Sequence, residues 1–456
     1  MSALLFLVLV AAILMHPRVV SLWRALCETS TLNYVTVAAS CVPSDFQGRN
    51  MNAQAIAERD ALEKAQQIHR EHIVIDSLAP GFVSERILTP PMIELAHRLQ
   101  AEGKKRSAIK ATLADYLLER CATDPATREA YMAYWRSAGV TACSNTMYSV
   151  GPPDSAWDSV RAEFARSNRM LEALGGAVVA VGSAAEIEQV HREDKRAVLY
   201  NVQNAEPLGD KLERVDELRG FGLRIMQLTN NLRNRFGEGC LEKNDGGLSR
   251  LGEALVHKLN ASRMIVDVSH GSARTGMDAA LASSQPIISS HTSARALSGH
   301  ARGTPDDVLK AIADRGGYVG VVTLPAFLLP AEGDERAVKL GKPRGWATLD
   351  AVVDHIAYLV NLIGADHVGI GTDWGKPYYS AMQWSPAMVS EQTAGFNWVG
   401  WRPQDRFDPN MQVIDMETWD KWPHLTAAML RRGIPEDAVI KIVGGNFLRV
   451  FREVCG

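Results

Sequence analysis

The sequence holds no Cys-x-x-Cys pair, no apolar run long enough to cross a bilayer, no block of like charge and no internal repeat. Each absence removes a class of protein. The six cysteines, Cys27, Cys41, Cys121, Cys143, Cys240 and Cys455, lie far apart, which excludes zinc-knuckle and thioredoxin-type spacing. Scattered thiols of this kind are the habit of reduced proteins, and Cys143, inside an apolar run, reads as a small hydrophobe. A net charge of −3 with both signs interspersed leaves no basic stripe for nucleic acid and no acidic tail. The remaining composition, 46% hydrophobic and 22% charged, is that of an ordinary globular chain. Its 456 residues suffice for one large barrel with additions or for two common domains.

The first fifty residues differ from the rest. Ala3 to Met15 is unbroken apolar sequence, but it is shorter than the ~20 residues a spanning helix needs. It also lacks the basic leader of a signal peptide. Ala38-Ala39-Ser40-Cys41 has the outline of a lipoprotein cleavage site. Met51 opens an amphipathic helix through Ala55, Ile56, Ala61, Leu62 and Ile68. The expectation is therefore an extension over 1–50, disordered, signal-like or an overlong start, followed by one domain over 51–456. A chain starting at Met51 would be cytoplasmic; a genuine signal in 1–50 would make it exported or membrane-tethered.

From there, short β-branched runs ending in a polar residue recur eight times: Ile73–Asp76, Gly139–Thr146, Ala197–Asn204, Leu223–Asn230, Met264–His270, Pro286–His291, Gly317–Thr323 and His367–Asp373. Helical periodicity fills most gaps, as in Trp157–Leu174, Leu248–Leu259, Ala273–Ala282, Pro305–Asp314 and Thr348–Leu362. Apolar strands alternating with helices predict a parallel sheet covered on both faces. Eight such units in about 300 residues predict a closed (β/α)₈ barrel of the TIM type. An open doubly wound sheet is the alternative, weakened because no Gly-x-Gly-x-x-Gly follows the first strand. Thr89–Arg136 is a helical insertion after that strand. Lys376–Gln412, with Trp384, Trp398 and Trp401, is a second insertion, either a lid or an ordered surface loop. Helices over Met416–Arg431 and Pro435–Arg452 close the chain.

Barrels of this type carry their working groups at the C-terminal strand ends. Those positions hold Asp76, Asn145 and Thr146, Gln203 and Asn204, Asn230 and Asn231, His270, His291, Thr323 and Asp373. Single strand-end histidines are usually structural. Two on adjacent strands, with Asp373 on the eighth, point instead to a divalent ion. Neutral imidazole and carboxylate are its usual ligands, and a bound ion acidifies water and polarises a carbonyl.

The runs Asp267-Val268-Ser269-His270, Ser289-Ser290-His291-Thr292-Ser293-Ala294-Arg295 with Arg302 and Pro305-Asp306-Asp307 beyond it, and His367-Val368-Gly369-Ile370-Gly371-Thr372-Asp373-Trp374 together resemble the membrane (renal) dipeptidase family. The similarity covers Ile73 to Phe451. It implies an amidohydrolase-like barrel that cleaves dipeptides at a two-zinc site. Matched motif by motif, His270 and His291 become ligands of one metal, and Asp373 a ligand of the other or the base acting on bridging water. Arg302 becomes the partner of the substrate's terminal carboxylate, a role suited to a bidentate guanidinium.

The departures matter equally. The family's first strand ends in a metal-binding His-x-Asp pair, where this chain reads Asp76-Ser77-Leu78-Ala79-Pro80. Its bridging Glu corresponds to Gln203, and its substrate-holding fourth-strand His to Asn230. The expected set is therefore His270, His291 and Asp373 as metal ligands, with Gln203, Asn230 or Glu206 assisting. One divalent ion is expected rather than two, zinc first, with iron or manganese as alternatives. The leading reading is a metal-dependent hydrolase of a dipeptide or small amide with a free carboxylate, using Asp373 in catalysis and Arg302 and Asn230 in binding. A lyase or hydratase acting on a carboxylate metabolite and an inactive ligand-binding barrel are the alternatives. A small molecule or dipeptide is the expected partner, nucleic acid is not, and a homodimer is an assembly open to the chain.

Overall fold

The computed structural model describes residues 44–79, 81–83, 86–149, 151–373, 408 and 410–456. Ala3–Met15, Cys41, Pro80 and the three tryptophans of the second insertion lie outside them. The chain divides into two compact units, residues 1–58 and 59–456. Of the first, the structure describes the start of a helix, Ser44–Glu71, which runs through position 50, where the extension was expected to end. Among the described residues no helix is long and apolar enough to cross a membrane.

Among the described residues the second unit is built on nine parallel strands: β1 Ile75–Asp76, β2 Ala142–Thr146, β3 Val178–Ala180, β4 Arg196–Val202, β5 Leu223–Gln227, β6 Ile265–Asp267, β7 Ile288–Thr292, β8 Tyr318–Val321 and β9 Val368–Ile370. Eight of them follow one another around the ring in the order β1-β2-β4-β5-β6-β7-β8-β9. The short β3, which the sequence reading missed, pairs beside the start of β4. Backbone bonds from Ser77 N to the Ile370 carbonyl (3.0 Å) and from Asp373 N to the Leu78 carbonyl (2.7 Å) join the last strand to the first. The barrel is the expected (β/α)₈ type.

Period-2 alternation explains its filling. Ile75, Ala142, Leu199, Ile225, Ile265, Ile288 and Tyr318 form an apolar floor, packed on Phe447 and Phe451 of the helix Asn446–Cys455. Two residues further along six of these strands stand Ser77, Ser144, Asn201, Gln227, Asp267 and Ser290, all buried. The middle of the barrel is thus polar, and it must be hydrogen-bonded internally to be tolerated. It is also narrow. A Cβ on Gly371 would come within 2.1 Å of the Ser290 carbonyl, and one on Gly369 within 2.2 Å of Tyr318.

The predicted helices between strands are present, within a few residues of their expected ends. The insertion after β1 is three helices, Pro90–Ala101, Arg106–Thr123 and Pro125–Ala138. The last expected helix is interrupted by a π-turn, Lys441–Gly445. There Gly444 lies against the Ile73 carbonyl, where a Cβ would come within 2.0 Å.

Candidate functional site

Two of the predicted ligands meet. His270 follows β6, His291 lies within β7, and their Nε2 atoms are 2.8 Å apart. Strict alternation from Ile265 and Ile288 would turn both rings to the other side of the sheet. Two local irregularities re-aim them. His270 has φ +65°, a left-handed conformation that a residue with a Cβ adopts at a cost. At His291 the β7–β8 register shifts between Ser289 and Thr292, and such bulges redirect side chains. Asp373, at the end of the last strand, is likewise left-handed at φ +51°.

The remaining ring nitrogens fix the tautomers. His270 Nδ1 lies 2.7 Å from Asn231 Oδ1. A carbonyl oxygen only accepts, so this nitrogen carries the proton. His291 Nδ1 lies 2.8 Å from Ser290 Oγ, whose hydroxyl is 2.5 Å from Asp267 Oδ2. Each Nε2 therefore directs a lone pair at the other. Two lone pairs at this distance repel unless both turn to a cation held beside them, and neutral imidazole nitrogen is a common donor to a divalent ion. Burial, joined by the charges of Arg302 and His291, holds the His270 pKa well below its usual value, which keeps it a lone-pair donor. The pair fits a metal. Among the described residues, however, no three His, Cys, Asp or Glu side chains lie close enough to share one ion. Asp373 thus does not complete a three-ligand set beside the histidines.

Of the other predicted residues, Arg302 is bonded directly to one member of this pair. Arg302 is buried, and its Nη2 donates to the His291 carbonyl at 2.7 Å while Nε has no partner. Burial lowers its pKa, and the charges of Cys240, Asp373 and Asp267 oppose that shift, so Asp373 and Arg302 share one electrostatic neighbourhood. Gln203 donates through Nε2 to Thr146 Oγ1 at 2.9 Å. Asn230 is occupied locally, its amide bonded to the Gln203 carbonyl and its oxygen accepting from Asn231 N. Glu206 starts the turn Glu206–Leu208; burial raises its pKa and the nearby Arg235 opposes this.

The first strand takes no part in the pair. Asp76 turns away from the barrel interior and is capped by Trp419, Trp422 and Thr372, while Leu78 and Ala79 are buried and apolar. Sequence reasoning named Asn231 as a strand-end residue without giving it a role, and missed Asp267 and Ser290 as residues that orient the histidines. The available signal was the polar pair Asp267 and Ser290, each two residues past an apolar strand position.

A parallel eight-stranded barrel with its candidate groups gathered at the C-terminal strand ends defines an amidohydrolase-like (β/α)₈ protein. The model of the membrane dipeptidase family, peptidase family M19, matches residues 62–383 and 391–455, and the chain belongs to that family. It is 28% identical over 309 residues, 66% of its length, to the dipeptidase aclJ of Aspergillus oryzae, and spans 63% of the length of that relative. Among solved structures it is similar to an amidohydrolase from Pseudomonas aeruginosa, at 26% identity and a TM-score of 0.62, covering 86% of this chain and 99% of that one. A metallopeptidase from Rhodobacter sphaeroides, solved with a phosphinate mimic of the dipeptide L-Ala-D-Ala, shares the fold. There the identity is 18% and the TM-score 0.60, over 84% of this chain and 99% of that one.

Proposed function

We propose that this protein is a metal-dependent hydrolase of dipeptides or small peptide-like amides that carry a free carboxylate. The observation that carries the reading is the convergence of two Nε2 lone pairs, each fixed by a partner on Nδ1. His270 and His291 would hold one divalent ion, zinc first, with the amide oxygen of Gln203 as an additional donor. Such an ion, when bound, acidifies water and polarises the scissile carbonyl. Asp373 accepts the proton of the attacking water and returns it to the departing amine. Arg302, buried with Nε unpartnered, pairs with the substrate carboxylate, where a guanidinium is stronger than an ammonium because it can bind bidentately. The neutral Gln203 and the apolar Leu78 and Ala79 support one ion rather than two, since none of the three offers a second cation an anionic ligand.

Metal content of the purified protein and turnover of a dipeptide panel with Zn²⁺, Mn²⁺ and Fe²⁺ test this reading. About one equivalent per chain is expected, lost in His270→Ala and in His291→Ala, because a single imidazole is too weak a chelate. Two equivalents would refute the one-ion site. Hydrolysis of no dipeptide by metal-loaded protein would refute the hydrolase.

A further inference from the structure

The histidine pair leans on a buried anion that the proposed chemistry has not yet used. Asp267 ends β6 in the polar middle layer, fully enclosed. Its Oδ1 accepts from Ser269 N at 2.9 Å and Ser290 N at 3.1 Å, and its Oδ2 takes the Ser290 hydroxyl at 2.5 Å. With that single proton directed at the carboxylate, Ser290 Oγ can only accept from His291 Nδ1. The direction of every hydrogen bond from Asp267 to the Nε2 lone pair of His291 is thereby set.

Among the described residues Asp267 makes no ion pair. An uncompensated carboxylate at this depth is costly. Arg302 acts on it only at a distance, and the imidazoles beside it are neutral in the ligand state. Among the described residues no Cys, Asp or Glu side chain joins the two histidines closely enough to share one ion with them, so the pair lacks a directly bound negative charge. We propose that Asp267, acting through Ser290, is a positioning residue that fixes the His291 tautomer and supplies the negative charge that makes the pair a strong cation site. This inference rests on the metal-dependent reading above. A purely structural alternative also exists, because the same bonds pin β6 to β7.

The test compares wild type with Asp267→Asn, Ser290→Ala and the double variant. Zinc alone is titrated against a chromophoric chelator. Each single change should weaken binding about 10- to 100-fold, the usual cost of losing an orienting partner. The double variant should be no weaker than the worse single one, because both act through one chain. Unchanged affinity with only a lower melting temperature overturns the proposal, and so do additive losses. Should Asp267→Asn not fold, Ser290→Ala, which deletes one buried oxygen, decides between the same outcomes.

A metal-free arm separates this inference from the hydrolase reading. Long-range ¹H–¹⁵N spectra should show His291 protonated at Nδ1 in wild type and at Nε2 in Ser290→Ala. A proton-free Nδ1 in wild type overturns the proposal whatever the metal does. Wild type that binds no zinc yet keeps a Ser290-dependent Nδ1 proton overturns the metal reading and leaves the positioning role standing.

Discussion

Replacing Asp76 by Asn exchanges one oxygen for an amide nitrogen at the seam of the barrel and should be among the most damaging single substitutions in the protein. The carboxylate is buried and gathers five donors. Thr372 N at 2.9 Å and Leu78 N at 3.3 Å reach Oδ1. Thr372 Oγ1 at 2.6 Å, Trp419 Nε1 at 2.8 Å and Trp422 Nε1 at 3.2 Å reach Oδ2. An amide has one acceptor oxygen and a nitrogen that only donates. Placed to keep the three donors on Oδ2, it faces Thr372 N and Leu78 N with hydrogens of its own. Each orphaned buried donor costs about 1–3 kcal/mol, giving roughly 2–6 kcal/mol in sum. The variant also avoids enclosing a charge, the effect that raises the Asp76 pKa, so the net loss should fall at about 2–3 kcal/mol. Urea unfolding of both proteins at neutral pH measures it, and a loss under about 1 kcal/mol would refute the reasoning. Because Thr372 precedes Asp373 in the chain, turnover should fall as well.

Three further outcomes are expected. Burial holds His69 down to about 4, against an ordinary value of 6.5, so the folded protein keeps it neutral while the unfolded chain protonates it. Its contribution is complete above pH ~6.5 and is lost as pH falls towards 4, which amounts to about 2 kcal/mol between pH 7.5 and 5. His69→Gln should be less pH-sensitive than wild type by that amount, and equal slopes would contradict it. Asp373→Asn should lower dipeptide turnover by ~10²-fold or more while leaving binding intact, the scale of lost general-base work; Arg302→Ala should instead weaken only ligands with a free carboxylate, sparing their esters. A chain started at Met51 should fold, because it keeps Ala65 and Ile68, which the helix before β1 buries; insolubility of that chain alone would show otherwise.

The sequence by itself determined the architecture, because strand and helix periodicities are local properties. Eight apolar runs with polar ends read correctly as eight barrel strands, and the strand-end rule located His270, His291 and Asp373 without any tertiary information. What the residues face was not legible there. Whether Asn230 or Asn231 meets His270 depends on how the chain turns after β5, and the structure gives that place to Asn231. Asp76 had the look of a mouth residue, yet two tryptophans some 340 positions away hold it on the outer side of the strand. His270 and His291 converge only because a left-handed residue and a register shift override the alternation of their strands. Periodicity states which side of a sheet a side chain should occupy. A single strained φ or bulge reverses that side, and its cost is met by contacts from distant strands that no local pattern encodes.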